Sequence, residues 1–107
     1  MTGRIVVLST VGSAGDAERI AQAMVEQGYA ACVNVVPGVA SFYRWEGETA
    51  RDAEWLMIMK TTAARFEALR EALVEMHPYE VPEVVELPIE RGHAPYLDWI
   101  DASVSAS

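Results

Sequence analysis

Residues 39–61 read Val39-Ala-Ser-Phe-Tyr-Arg-Trp-Glu-Gly-Glu-Thr-Ala-Arg-Asp-Ala-Glu-Trp-Leu-Met-Ile-Met-Lys-Thr61, and this stretch decides the fold. In an extended chain Val39, Ser41, Tyr43 and Trp45 share one side, and Ala40, Phe42 and Arg44 the other. Glu46-Gly47-Glu48 supplies a turn. From Ala50 to Thr61 the chain runs back, with Trp55, Met57 and Met59 alternating against Leu56, Ile58 and Lys60. Two period-two runs joined by a glycine turn make a β-hairpin. Each arm is about twice the ~5–6 residues of an ordinary strand. Such a hairpin overhangs a small body and carries Phe42, Tyr43, Trp45 and Trp55 on edges and faces that monomers normally protect. The expectation is an obligate homo-oligomer.

Upstream of the hairpin, Val33, Val35 and Val36 favour strand until Pro37-Gly38 interrupts, which marks an edge position or a bulge. Arg4 to Thr10 is a short apolar run of the kind buried on both faces. Ser13 caps a helix, with Asp16 three residues on, an apolar stripe of Ala17, Ile20, Ala21, Met24 and Val25, and a stop at Gly28. Downstream, Thr62 is placed to cap a second helix with the stripe Phe66, Leu69, Leu73, Met76, ended by Pro78. Glu83 to Ile89 reads as a last strand with prolines near its ends. Pro95 suits the first turn of a final helix through Leu97, Trp99 and Ile100. Ala102 to Ser107 reads as a tail, flexible from about residue 103. The order is β-α-β-β-α-β plus a C-terminal helix, an α+β chain with the ferredoxin-like split βαβ arrangement, forming a single domain over residues 1–107.

Composition narrows the function classes. The chain has 107 residues, which leaves no room for two cores. Eight Lys+Arg against sixteen Asp+Glu give a formal charge of −8, which excludes sequence-independent nucleic-acid binding and disfavours an anionic membrane surface. No run approaches the roughly 20 apolar residues of a membrane span, and Ile5 to Leu8 is too short for a signal-peptide core. A cytoplasmic location is expected. The one cysteine, Cys32, rules out an intrachain disulfide framework.

The segments Ala31-Cys-Val-Asn-Val-Val-Pro-Gly38, Ser41-Phe-Tyr-Arg-Trp-Glu-Gly47, Met59-Lys-Thr-Thr62, His77-Pro-Tyr-Glu-Val-Pro-Glu83 and Tyr96-Leu-Asp-Trp99 together resemble the CutA divalent-cation tolerance proteins, from about Ile5 to Ala102. The resemblance implies a ferredoxin-like protomer in a homotrimer joined by the long hairpin and similar in architecture to the PII signalling proteins. It also implies an association with tolerance to copper and other divalent metals, copper binding, and no enzymatic reaction. Members for which a metal-binding thiol has been proposed carry cysteine where this chain has Ser9, and serine is a poor ligand for a soft ion.

Among candidate ligands, His77 stands where a helix gives way to an X-Pro turn, beside Tyr79, Glu80 and Glu83. Neutral imidazole suits Cu(II) and Zn(II), and Glu80 or Glu83 could ligate or orient it. The competing reading is a structural histidine bonded to backbone, and a trimer could add ligands from a neighbour. Cys32 is a soft ligand by type but sits in a strand, where free cysteine is usually a small hydrophobe. Met76 is a thioether neighbour of His77 but lies on the helix stripe; Met57 and Met59 read as core and His93 as surface. Glu67, Glu71 and Glu75 share one helix face, partly offset by Arg70. Lys60, near a helix start, is either an anion ligand or the partner of Glu83 or Glu86. No Gly-rich phosphate loop, HExxH or Gly-x-Ser-x-Gly occurs, so no enzyme is expected. Copper or another divalent cation is the one ligand anticipated, and no obligatory cofactor. The alternative is a PII-like signalling or scaffold trimer holding a small anion or a partner protein in inter-subunit clefts, with Tyr43, Trp45, Lys60 and Trp99 as cleft residues.

Overall fold

The computed structural model describes residues 2–104. Strand β1 spans Arg4–Val11, helix α1 Ala14–Glu26, strands β2 and β3 Cys32–Trp45 and Glu48–Thr62, helix α2 Phe66–Met76, strand β4 Val85–Pro88 and helix α3 Ala94–Val104. The four strands form one antiparallel sheet in the order β2-β3-β1-β4, so β2 and β4 are its edges. No helix is long and apolar enough to cross a membrane.

The hairpin is the longest feature, and it stretches the molecule to 44 Å against 25 and 22 Å in the other directions. Its turn is two residues rather than three: Glu46 and Gly47 have φ of 50° and 80°, the left-handed pair that lets strands of right-handed twist meet without splaying. The proline-glycine interruption is both an edge position and a bulge. Between Val36, opposite Leu56, and Val39, opposite Glu54, β2 carries one residue more than β3, and Gly38 absorbs the kink at φ 76°.

Helices α1 and α2 cover one face of the sheet. Ser13 caps α1, its hydroxyl accepting from the Asp16 N–H at 3.1 Å. Ala17, Ile20 and Met24 then meet Ile5, Val7, Val11, Met57 and Met59, with Leu69 and Leu73 of α2 completing the core. Val25 turns out of that stripe and stays exposed. Thr62 does not cap α2. It precedes a 3-10 turn, Ala63–Arg65, without a side-chain bond, and the Ala63 N–H is satisfied instead by the Gly3 carbonyl at 2.8 Å.

The other face is only partly covered. β1 is therefore not buried on both sides: Ile5, Val7, Ser9 and Val11 are buried, whereas Val6 and Leu8 on the alternate side are half-buried. Register places Leu87 beside Val6, Val85 beside Leu8, Ile58 beside Leu8, and Leu56 beside Val36. Alternation thus gathers Val6, Leu8, Val36, Leu56, Ile58, Val85 and Leu87 on one open apolar sheet face. Helix α3 covers one end of the protein through Leu97, Ile100 and Val104, which pack with Ala31 and Ile89. Arg4 fastens it with a two-pronged bond to Asp101, Nε at 3.0 Å and Nη2 at 2.6 Å.

Two boundaries differ from expectation. The last strand is Val85–Pro88, not Glu83 to Ile89, because residues 77–84 leave the sheet as a loop. The segment expected to be a tail from Ala102 is helical as far as described: α3 runs through Ala102 and Ser103 to Val104, whose side chain is buried with Leu97 and Ile100. Residues 105–107 lie outside the described residues.

Candidate functional site

The loop after α2 builds the site. Pro78 stops the helix, and His77 takes an extended conformation while its N–H still bonds the Leu73 carbonyl at 2.9 Å. The imidazole is buried with both nitrogens engaged. Nε2 donates to the Thr10 carbonyl at 2.9 Å, and Nδ1 accepts from the Tyr79 N–H at 3.1 Å. That pairing fixes one tautomer and ties the loop to β1. Arg19 closes the other side, its Nη2 donating to the Met76 carbonyl at 3.0 Å and to Asp16 Oδ1 at 3.1 Å. The Arg19 bond, then that of Ser13, lowers the Asp16 carboxyl below its usual range.

Tyr79 tilts against the His77 ring at 4.7 Å and sends its hydroxyl over Gly12 to Glu54, donating to Oε2 at 2.7 Å. A side chain at position 12 would stand 2.9 Å from that hydroxyl. Glu54 is a buried carboxylate, 7% exposed, on the far half of the hairpin. Burial first, and then the bond to Glu54, push the Tyr79 phenol well above the usual phenolic range. On the same face the Tyr43 hydroxyl donates to Asp52, a bond that raises the Tyr43 pKa.

Between loop and hairpin lies a cleft of about 780 Å³. Thr10, Ser41, Phe42, Tyr43 and Trp45 form one part of its wall, and Asp52, Glu54, Tyr79, Glu80, Val81 and Glu83 the rest. Four of these residues are carboxylates and none is lysine or arginine, so the cleft attracts cations. Among the described residues, no three His, Cys, Asp or Glu side chains close on a single metal ion.

Of the residues anticipated, Glu80, Glu83, Tyr43 and Trp45 meet in this cleft, with His77 behind its loop. Cys32 and Lys60 lie elsewhere, paired across β2 and β3. The Lys60 ammonium donates to Asn34 and stands 4.0 Å from the half-exposed Cys32 sulfur, and among the described residues no ion pair joins it to Glu83 or Glu86. Trp99 sits exposed on α3 against Tyr96, ring centres 5.5 Å apart. Arg70 bonds Glu67 at 3.0 Å on the acidic face of α2. Ser9 is fully buried, its hydroxyl without a partner among the described residues.

Asp52 and Glu54 were not singled out from sequence, and Tyr79 entered only as a neighbour of His77. Asp52 and Glu54 share the face of Tyr43 through the register set by the two-residue turn, Tyr43 opposite Ala50 and Ser41 opposite Asp52, although the hairpin pattern itself was readable.

The CutA1 divalent ion tolerance protein family model matches residues 5–103. The chain belongs to this family. It is 53% identical over 95 residues to the divalent-cation tolerance protein CutA of Thermus thermophilus, covering 89% of this chain and 92% of that protein. Against the Escherichia coli protein of the same name the identity is 39% over 103 residues, covering 96% and 92%. The chain spans about half the length of the animal and plant CutA proteins it matches, for example 48% of the mouse protein. The crystal structure of CutA1 from Oryza sativa superposes with a TM-score of 0.94 at 42% identity over the full length of both chains. These CutA proteins are named for tolerance to divalent cations, not for a reaction.

Proposed function

We propose that this CutA chain acts in the cytoplasm as a homotrimer that binds copper or other divalent cations and contributes to metal-ion tolerance. Membership of the divalent ion tolerance family is the observation that carries the reading. The protomer is taken as ferredoxin-like on its β-α-β-β-α-β order and β2-β3-β1-β4 sheet, and as PII-like in assembly. Self-association is supported by the open apolar face, where Val85 and Leu87 stand 44% and 50% exposed.

The cation is assigned to the carboxylates of the cleft, chiefly Glu80 and Glu83, with donors from a second copy completing the set, because among the described residues no three such side chains close on one ion. Direct ligation by His77 requires it to give up the bond from the Tyr79 N–H at Nδ1. Its role in this reading is to hold the loop. Cys32 is a separate soft donor beside Lys60. The charge of the cleft weighs against the alternative of a small anion there.

Calorimetric titration of the purified assembly with Cu(II) and Zn(II) tests the reading. Saturable binding that weakens in Glu83→Gln is expected. Absence of stoichiometric binding of either ion overturns it, and abolition by His77→Gln with Glu83→Gln unaffected moves the site to the imidazole.

A further inference from the structure

The chain has two histidines, and they stand in opposite surroundings. His93 is exposed at the start of α3, where its backbone carbonyl accepts from the Tyr96 and Leu97 N–H groups. His77 is more than nine-tenths buried, and its two ring partners permit one protonation state. The Thr10 carbonyl, 2.9 Å from Nε2, can only accept, so Nε2 carries the hydrogen. The Tyr79 N–H, 3.1 Å from Nδ1, can only donate, so Nδ1 keeps its lone pair. A proton added at Nδ1 sets two N–H groups face to face in a buried site and leaves that of Tyr79 without its acceptor. The neighbouring charges do not relieve the conflict. From α1 come Asp16 and Arg19, paired with each other at 3.1 Å, so a carboxylate that favours an imidazolium arrives with a guanidinium that opposes it. β1 brings the uncharged Thr10, α2 the Leu73 carbonyl, and Glu54 of β3 stands beyond the Tyr79 phenol.

We propose that His77 is a proton-operated latch on the loop of residues 77–84: the neutral ring pins the loop to β1, and a proton taken from solvent at Nδ1 releases it. Histidine changes charge between about pH 5 and pH 8. Closure is therefore complete above that range and is lost as the pH falls through it. Release frees the Tyr79 backbone and lets Glu80 and Glu83, which line the cleft from this loop, move away from the hairpin. The inference goes beyond the divalent-cation reading and does not depend on a bound ion.

Hydrogen exchange read by mass spectrometry on the native assembly, from about pH 8 to about pH 5 and without added metal, tests the proposal. Each rate is divided by the intrinsic rate of an open chain at the same pH. Protection of residues 77–84 should fall by about tenfold or more on acidification, while α1 stays protected. In His77→Gln, whose amide can donate to Thr10 and accept from Tyr79, protection should no longer vary with pH. His93→Gln should keep the native response. Nitrogen NMR of the imidazole rings reads the latch without any substitution. The Nε2–H tautomer is expected for His77 at the alkaline end, with conversion to imidazolium over the same interval in which the loop loses protection. Loop protection that does not change with pH overturns the proposal. So does a response that survives in His77→Gln or disappears in His93→Gln. An Nδ1–H tautomer in the closed loop, or a His77 ring that becomes charged while the loop stays protected, contradicts it even where the glutamine variant does not fold.

Discussion

The Tyr79 hydroxyl donates to Glu54 Oε2 across 2.7 Å, joining the loop that follows α2 to the far half of the hairpin. Around this bond the loop holds its shape: His77 anchors one end to β1, and Gly12 leaves the space that the phenol crosses. Glu80 and Glu83 of that loop line the same cleft as Asp52 of the hairpin.

Tyr79→Phe removes the donor and leaves a buried carboxylate without a protein partner. Denaturant unfolding should show a loss of about 1–3 kcal/mol. A loss indistinguishable from zero would mean that water already serves Glu54.

The same bond predicts a pH dependence. The folded state holds the Tyr79 proton more tightly than the unfolded state, whose phenol titrates near 10.0. The stabilisation is therefore complete below that pH and is lost as the pH rises beyond it. Thermal melts of native protein should fall through this alkaline range, and Tyr79→Phe should fall less. Tyr43 and Tyr96, also raised, keep the variant from being flat.

Gly12→Ala sets a methyl group 2.9 Å from the Tyr79 hydroxyl. A cost of about 1–2 kcal/mol is expected, because the phenol cannot move aside without leaving Glu54. In the Tyr79→Phe background most of that cost should vanish, and a double-mutant cycle measures the coupling.

Ser9→Ala removes a fully buried hydroxyl that has no partner among the described residues. Stability should rise by about 1 kcal/mol, read from the urea midpoint. A decrease would show that the hydroxyl is bonded in solution.

Glu46 holds φ 50° at the hairpin tip, a conformation that asparagine tolerates better. Glu46→Asn should stabilise by up to about 1 kcal/mol. No gain in melting temperature would contradict a left-handed turn there.

How much of this was readable depended on how local the cause was. The alternation from Val39 to Lys60 specifies a hairpin with no outside help, and the Ser13 cap and the Pro78 stop act within a few residues. Thr62 does not cap α2: the chain enters a 3-10 turn at Ala63 with the Thr62 side chain unbonded, and a distant carbonyl, that of Gly3, holds the first N–H there. The end of α3 was misjudged because small and polar residues conceal Val104, whose burial comes from packing against Leu97 and Ile100 as one cluster. The site followed the same rule. His77, Glu80 and Glu83 are neighbours in sequence and were visible as a group. Glu54 and Asp52 join them only through the cross-strand pairing of the hairpin and through Tyr79, which are properties of the folded chain.

The central claim is that the sheet face bearing Val6, Leu8, Ile58 and Leu87 is covered by further copies of the chain. Sedimentation equilibrium at micromolar concentration measures this directly. Three protomer masses of 11.7 kDa are expected for the native protein, with dissociation in Leu87→Asp. A folded species of one protomer mass, with the apolar face open to water, would contradict it.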